Sequence, residues 1–450
     1  MFDHDKSRVS NVESGAFVGH PALDPQPPRE RFLGVRLLIL GSWLQAVFPS
    51  LLQLEQRGGR GVTDVAASQA LTGLSALLSQ FLSLALLIGT VGLVIHHAHS
   101  QTHAPARALL FMMAPWLVMM LLGVRAGSQP RFAMLLYPLT ALALWLIAPP
   151  IRVLATLGLV TSCTAALALV MGGWTTLGLV RSEAFGDKEI FGGGLLAGPY
   201  NNSNGLGMVL ALGLPAMFLV RSRGARAVGI SLILPALVWT AARTSLAAAA
   251  VLLLLLLLFR VVSRPTQALV ASVVLAVGLA LVVWLPFHVN SITAYSFRGL
   301  IWLASRATWQ KHPWLGAGPD YYRIAAQSAN DFGRLAFHGH NLAMHMLTVG
   351  GLVLATTVGI TLLAVSHQAL RLLRTGVAFP VFFVVTYTYV SALDLATDFR
   401  EPSPAGLAVW FSLALCLFAR ESVEAGFGLT RTEGRQPVVD SGVHHNVVVR

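Results

Sequence analysis

Hydrophobic residues in this chain come in long blocks separated by polar gaps. Apolar runs lie near 32–51, 69–95, 107–123, 132–149, 151–172, 204–220, 227–241, 245–262, 267–287, 342–366, 378–393 and 404–419. A run such as SLAAAAVLLLLLLLFRVV, from Ser245, is long enough to cross a hydrocarbon core of about 30 Å as a helix. The apolar–polar alternation of an outer-membrane barrel strand is absent. The pattern predicts an all-α fold, a polytopic integral membrane protein with about twelve transmembrane helices. One gap stands out. Residues 288–341, between the ninth and tenth runs, hold the longest mixture of charges, aromatics and histidines in the chain. This interval reads as a large extramembrane loop with helical pieces folded against the bilayer. Chemistry in membrane proteins collects where polar groups meet a sheltered cavity.

The gaps also predict orientation. Counted from the N-terminus, the even gaps are basic, with Arg107, Arg152, Arg221, Arg223, Arg226, Arg260, Arg264, Arg371 and Arg374 in or beside them. The odd gaps carry the acids Asp64, Glu183, Asp187, Glu189, Asp394, Asp398 and Glu401. Arg57, Arg60, Arg125 and Arg131 fall in odd gaps and run against the pattern. The positive-inside rule then puts both termini in the cytoplasm. Loops 173–203 and 288–341 and the turn at Arg243 emerge together on the periplasmic face of a bacterial inner membrane. Residues 1–30 are polar and predicted disordered; 421–450 read as a flexible cytoplasmic tail; 31–420 form the membrane domain. With no apolar core in the first thirty residues, the first transmembrane helix is expected to act as internal signal.

Composition sharpens this picture only at two points. The 450 residues are 55% hydrophobic and 11% charged, with mean hydropathy +0.68, against about 25% charged in soluble domains. The net charge of +12 comes from arginines that punctuate apolar runs, so it marks topology and argues against nucleic acid. Cys163 and Cys416 both lie inside predicted spans and make no disulfide framework or CxxC site.

Five short patterns carry the candidate chemistry. GPYNNSNGLG sets Asn201, Asn202 and Asn204 at a helix mouth, either as caps or as amides facing a polar or anionic ligand. Arg243, in WTAARTSLA, is a snorkelling anchor or a ligand contact. Arg298 and Trp302, in SFRGLIWLASRATW, share a helical face at i, i+4, on a surface helix or at a site. Pro313, Gly316 and Gly318 specify a tight turn before Asp320, Tyr321 and Tyr322. His338, His340 and His345, in FHGHNLAMHM, lack HExxH spacing and a carboxylate in the run, which disfavours a metal. A histidine at a helix start is instead poised as a base near neutral pH.

The order of these patterns resembles the O-antigen ligase superfamily: an Asn-rich helix start, an [SA]R turn, an RxxxW helix, a P-x-x-G-x-G turn, and HN before a helix with Gly350–Gly351. The superfamily covers O-antigen ligases, O-antigen or exopolysaccharide polymerases and protein O-oligosaccharyltransferases. The motifs span about 190–365. The resemblance implies a GT-C-type glycosyltransferase that takes glycan from a polyprenyl diphosphate in the periplasm. It places the diphosphate on Arg243 and Arg298 and the general base on His340; Ala242 stands where the family often has serine.

Chemistry agrees with that assignment. Arginine holds phosphate bidentately and stays charged, and two of them supply the stabilisation that a divalent ion gives elsewhere. No DxD pair lies in the predicted periplasmic loops, so the enzyme is expected to be metal-independent. A sugar hydroxyl needs a base, His340 or its rival Asp320. Asn201, Asn202, Trp302, Asp320, Tyr321, His338 and Asn341 complete the expected substrate-binding set. The function implied is transfer of a glycan en bloc from undecaprenyl diphosphate to lipid A–core oligosaccharide, with inversion. The alternatives are a polymerase, a protein O-oligosaccharyltransferase and, from another class, a transporter or flippase; no internal repeat supports the last.

Overall fold

The computed structural model describes residues 32–56, 71–99, 103–180, 189–191, 193–327, 337–403 and 405–420. The segments 1–30 and 421–450 lie outside the described residues, as do Arg57, Arg60, Asp64, Glu183, Asp187 and Arg334. The described chain is helical apart from one two-stranded ribbon. Every predicted apolar run coincides with a helix, most to within a few residues, while α12 continues eight residues past its predicted end: α1 (Leu33–Gln56), α2 (Gly73–His97), α3 (Ala106–Arg125), α4 (Leu136–Ile147), α5 (Ala155–Trp174), α6 (Ser203–Met217), α7 (Arg223–Trp239), α8 (Arg243–Val261), α9 (Arg264–His288), α12 (Leu342–Arg374), α13 (Phe379–Leu393) and α14 (Gly406–Phe418). Strands β1 (Leu179–Val180) and β2 (Leu195–Leu196) precede α6, and α10 (Ala294–Lys311) and α11 (Tyr321–Ala325) lie in the long loop. Helix is the expected solution, because backbone N–H and C=O groups find no water in hydrocarbon.

By length and composition, seven helices can cross a bilayer: α1, α2, α3, α5 with its leading turn, α8, α9 and α12. This is a polytopic helical membrane protein. The helices α4, α6, α13 and α14 are apolar but shorter, and α7 has 17 residues with Arg223 and Arg226 in its first turn. Burial explains the difference. Helix α2 turns Leu77, Phe81, Leu84 and Ile88 outward, the greasy surface a lipid-facing helix shows. Helices α13 and α14 are buried nearly all round, as expected of the centre of a bundle. At 15 residues, α13 spans only about 22 Å, less than the hydrocarbon core.

Loops gather at the two ends by gap parity. At one end Ser128 donates to Asp320, Arg131 pairs with Glu401 at 3.2 Å, and Arg298 reaches Thr244 and Asp394, both at 3.3 Å. At the other, Gly376 lies beside Arg264 and Gln368 donates to the Ala419 carbonyl at 3.1 Å. A chain threading back and forth produces this sorting.

The long loop also enters the bundle. Helix α12 breaks at Gly351, at φ 62° and ψ −159°, a conformation essentially confined to glycine. The 313–318 turn fills the break. Ala317 N–H donates to the Thr348 carbonyl at 2.7 Å and Gly318 N–H to Val349 at 3.2 Å. In return Leu352 N–H donates to Pro313 at 2.8 Å and Val353 N–H to Trp314 at 3.2 Å. Groups that the break releases are thus satisfied by the turn, the condition for irregular backbone at this depth.

Candidate active site at the recessed end of the bundle

The centre of the site is Asp394, which the sequence reading recorded only as a loop acid. It caps α13 in extended backbone and its own N–H still bonds Val390, so the carboxylate leaves the helix end sideways. Arg298 Nη2 lies 3.3 Å from Oδ2. His338 Nε2 and His340 Nδ1 each lie 3.6 Å from Oδ1. Arg298 Nη1 donates to Thr244 Oγ1 at 3.3 Å. Burial pushes the Asp394 carboxyl up, but the His340 hydrogen bond and the Arg298 charge outweigh it and hold it well below the usual carboxylate range. Burial, with His340 beside it, pushes His338 well below the ordinary histidine value.

The loop that presents the histidines is held on several sides. Asn341 is fully buried; its Nδ2 donates to the Val282 and Ala392 carbonyls, both at 2.9 Å, and its Oδ1 accepts Met344 N–H at 2.8 Å. One amide thus caps α12 and ties it to α9 and α13. Trp302, also fully buried, donates Nε1–H to the Gly339 carbonyl at 3.0 Å. Gly339 is needed for close approach, since a Cβ there would sit 2.8 Å from His345 Cα. These restraints hold His340 at φ 46°, a left-handed conformation that costs about 1–3 kcal/mol and persists only when over-determined.

Hydrogen bonds assign the tautomers. His338 Nδ1 accepts the His340 backbone N–H at 3.1 Å, so neutral His338 carries its proton on Nε2, facing Asp394. His340 turns Nδ1 to the same carboxylate. A proton on that Nδ1 would face Asp394 and leave the lone pair on Nε2. Phe337 packs edge-on against both rings, at 4.5 and 4.9 Å between centroids. It gives the histidine pair an apolar wall.

His338, His340 and Asp394 also have ligand atoms within 4.8 Å of one another, a spacing a metal ion accepts. The donor set fits poorly. A metal on His338 Nε2 would require the proton to move to Nδ1 and lose the His340 N–H, and the Arg298 cation on Oδ2 of the same carboxylate would repel it. The residues suit a proton relay better than a metal.

Other expected residues fall differently. Arg243 is exposed as the first residue of α8; its neighbour Thr244, not predicted, is the one that meets Arg298. Asn202 is a cap, accepting Gly205 N–H at 2.6 Å, which favours the structural reading of that residue, and Asn201 is half-buried beside it. Asp320 is clamped by Ser128, by Arg323 at 3.2 Å and by Arg400 at 3.0 Å. Burial raises its carboxyl, but these donors hold it well below the usual range, so it is a poor rival base. Tyr321 bonds Thr308 at 2.8 Å. Tyr322 bonds Ser305 at 2.7 Å and stacks on His345, bracing the loop from below. Arg306 caps the end of α9 through the Phe287 and Val289 carbonyls, at 2.8 and 3.3 Å.

Gly299 sets the position of Arg298, because any Cβ would collide with the Ser291 carbonyl. Gly299→Ala is expected to destabilise the protein by about 1–3 kcal/mol. Gly173→Ala, where a Cβ meets nothing within 4 Å, should be neutral or better. Thermal unfolding in detergent checks this, and equal melting temperatures would refute the close approach.

No protein-family model and no curated protein matches this chain, so the functional reading rests on the site itself.

Proposed function

We propose that this protein is a metal-independent glycan ligase of the O-antigen ligase type. It would move a glycan from undecaprenyl diphosphate to a hydroxyl of lipid A–core oligosaccharide at the periplasmic face of the inner membrane. The observation that carries the proposal is the buried Arg298–Asp394–His338–His340 cluster at one end of the helical bundle. The periplasmic side is the reading of the basic gaps under the positive-inside rule.

The transfer is a single displacement. The acceptor oxygen attacks the anomeric carbon, its proton passes to His340 Nε2, and the bond from that carbon to the diphosphate breaks with inversion. Asp394 holds His340 in the productive tautomer and stabilises the imidazolium that forms. Arg298 spends two N–H groups on Asp394 and Thr244 and offers the rest to the negative charge developing on the leaving diphosphate. Arg243, at the adjoining helix start, adds a second cation. The donor's polyprenyl chain stays in lipid between outer helices.

The test is a reconstituted assay with undecaprenyl-diphosphate-linked glycan, lipid A–core acceptor and EDTA. Wild type should glycosylate the core in EDTA. Arg298→Ala should lose about 10²–10³-fold in rate, and Arg298→Lys should recover little because the fork geometry is gone. Longer lipid-linked glycan without core product would make the protein a polymerase, and no product of either kind would refute the ligase.

A further inference from the structure

A second polar group in the same end of the bundle is not used by the chemistry above. Arg400, in the loop between α13 and α14, is 8% exposed. Its Nη2 pairs with Asp320 at 3.0 Å and Glu401 at 3.4 Å. Its Nε and Nη1 have no hydrogen-bond partner among the described residues. Buried guanidinium N–H groups without acceptors are disfavoured and call for an acceptor from outside.

The surroundings define what that acceptor is. Arg400 lines a small cleft of about 30 Å³ with Met119, Met120, Val124, Gln129 and Met134. Its wall is therefore the end of α3, methionine-rich and deformable. On the same helix Leu117, Leu121 and Val124 are exposed, so the cleft is continuous with a lipid-facing surface. Asp320 is shared between Arg400 and Arg323, and Glu401 between Arg400 and Arg131, with Asp398 as a third carboxylate near Arg400; the anion is called for by the unpartnered N–H groups, not by excess charge. Asp398 turns Oδ1 to the Arg400 and Glu401 amides, at 2.9 and 3.1 Å. An anion with an apolar tail satisfies both halves of the cleft.

We infer that the cleft between Arg400 and the methionine face of α3 binds a lipid phosphate, with Arg400 Nη1 on the phosphate and the first carbons of the chain along Met119, Met120 and Val124. A guanidinium N–H gives phosphate a charge-assisted hydrogen bond, and the methionines accept chains of different shape. This site stands apart from the His340 centre and holds whether or not that centre transfers glycan.

The experiment uses the full chain in neutral detergent, with lipid retention read by native mass spectrometry for phosphatidic acid against phosphatidylcholine. Wild type is expected to retain phosphatidic acid by about tenfold over phosphatidylcholine. Arg400→Gln and, separately, Gly123→Leu should each bring retention down to the phosphatidylcholine level. Gly123 lines the cleft and a Cβ there meets Ser128 Cβ at 3.7 Å, ordinary contact, so Gly123→Leu is designed to fill the space while replacing no member of the Arg400 ion pairs. It decides the question if Arg400→Gln fails to fold. Equal retention of the two lipids by wild type, or full retention by a folded Gly123→Leu, would overturn the inference. A parallel thermal-shift arm uses inorganic phosphate alone. Stabilisation there, without retained phosphatidic acid, would assign the cleft to free phosphate and overturn the lipid.

Discussion

Asp394→Asn is expected to lower glycan transfer by about 10³–10⁴-fold while leaving the protein folded. The size follows from the tautomer argument. In hydrolases built on a histidine held by a buried carboxylate, the amide replacement keeps the shape but favours the wrong imidazole tautomer. Here Oδ1 faces both His338 Nε2 and His340 Nδ1 at 3.6 Å. An asparagine that turns its NH₂ toward the rings would force His340 to accept at Nδ1 and place its proton on Nε2. The base would then be blocked at the atom that must take the acceptor's proton. The same substitution leaves Arg298 facing a neutral partner, which loosens its aim at the diphosphate. Asp394→Glu should recover part of the rate, because charge and acceptor atoms return at a shifted position. The reconstituted transfer assay measures all three proteins, with gel filtration and thermal unfolding confirming fold. Near wild-type transfer by Asp394→Asn would remove Asp394 from the mechanism and leave His340 without an orienting group.

Gly316→Val is expected to give the largest loss of stability. Gly316 sits at φ 65° and a Cβ there would collide with the Gly350 amide, while one on Gly351 would collide with the Trp314 carbonyl. The two backbones touch, and neither is the flexible tip of a side chain that can move aside. A β-branched residue adds the cost of left-handed backbone to that overlap. The four hydrogen bonds between 313–318 and 348–353 would then separate, and the broken helix would keep unsatisfied groups within the bundle. A loss above about 4 kcal/mol is expected, at the far end of what single substitutions do. Gly359→Val is the control, since Gly359 is on the same helix with nothing within 4 Å of its Cβ position. Thermal unfolding and monodispersity in detergent check the pair. Equal behaviour of the two variants would refute the contact.

Much of the architecture was legible because it depends on local pattern. A block of twenty apolar residues has few stable options in lipid, so helix positions follow from polarity alone. Their role in crossing the membrane does not. Nothing in FPVFFVVTYTYVSAL says that α13 ends as a short helix at the bundle centre; its burial by neighbours decides that. The sequence also marked Arg298, His338 and His340 by motif, and Gly316 as part of a tight turn. It placed Trp302 on one helical face with Arg298, and Asn341 beside His340 in the HN pattern, and expected both in the substrate-binding set. The structure buries them fully and uses their hydrogen bonds to hold the loop. Burial is a property of neighbours, and neighbours are not local.

The sequence by itself determined that this is a polytopic helical membrane protein, where its helices lie, and that its polar residues concentrate in one long loop. Only the tertiary structure decided which of those residues work together. Asp394 lies 96 positions from Arg298 and Thr244 lies 54 from it, on different helix ends, and Arg400 meets Asp320 across 80. The physical reason is range. Hydrophobic runs and turn residues act within a few positions along the chain, while an ion pair or a hydrogen bond acts across about 3 Å of space. Which residues share those few ångströms is set by how helices of unequal length pack.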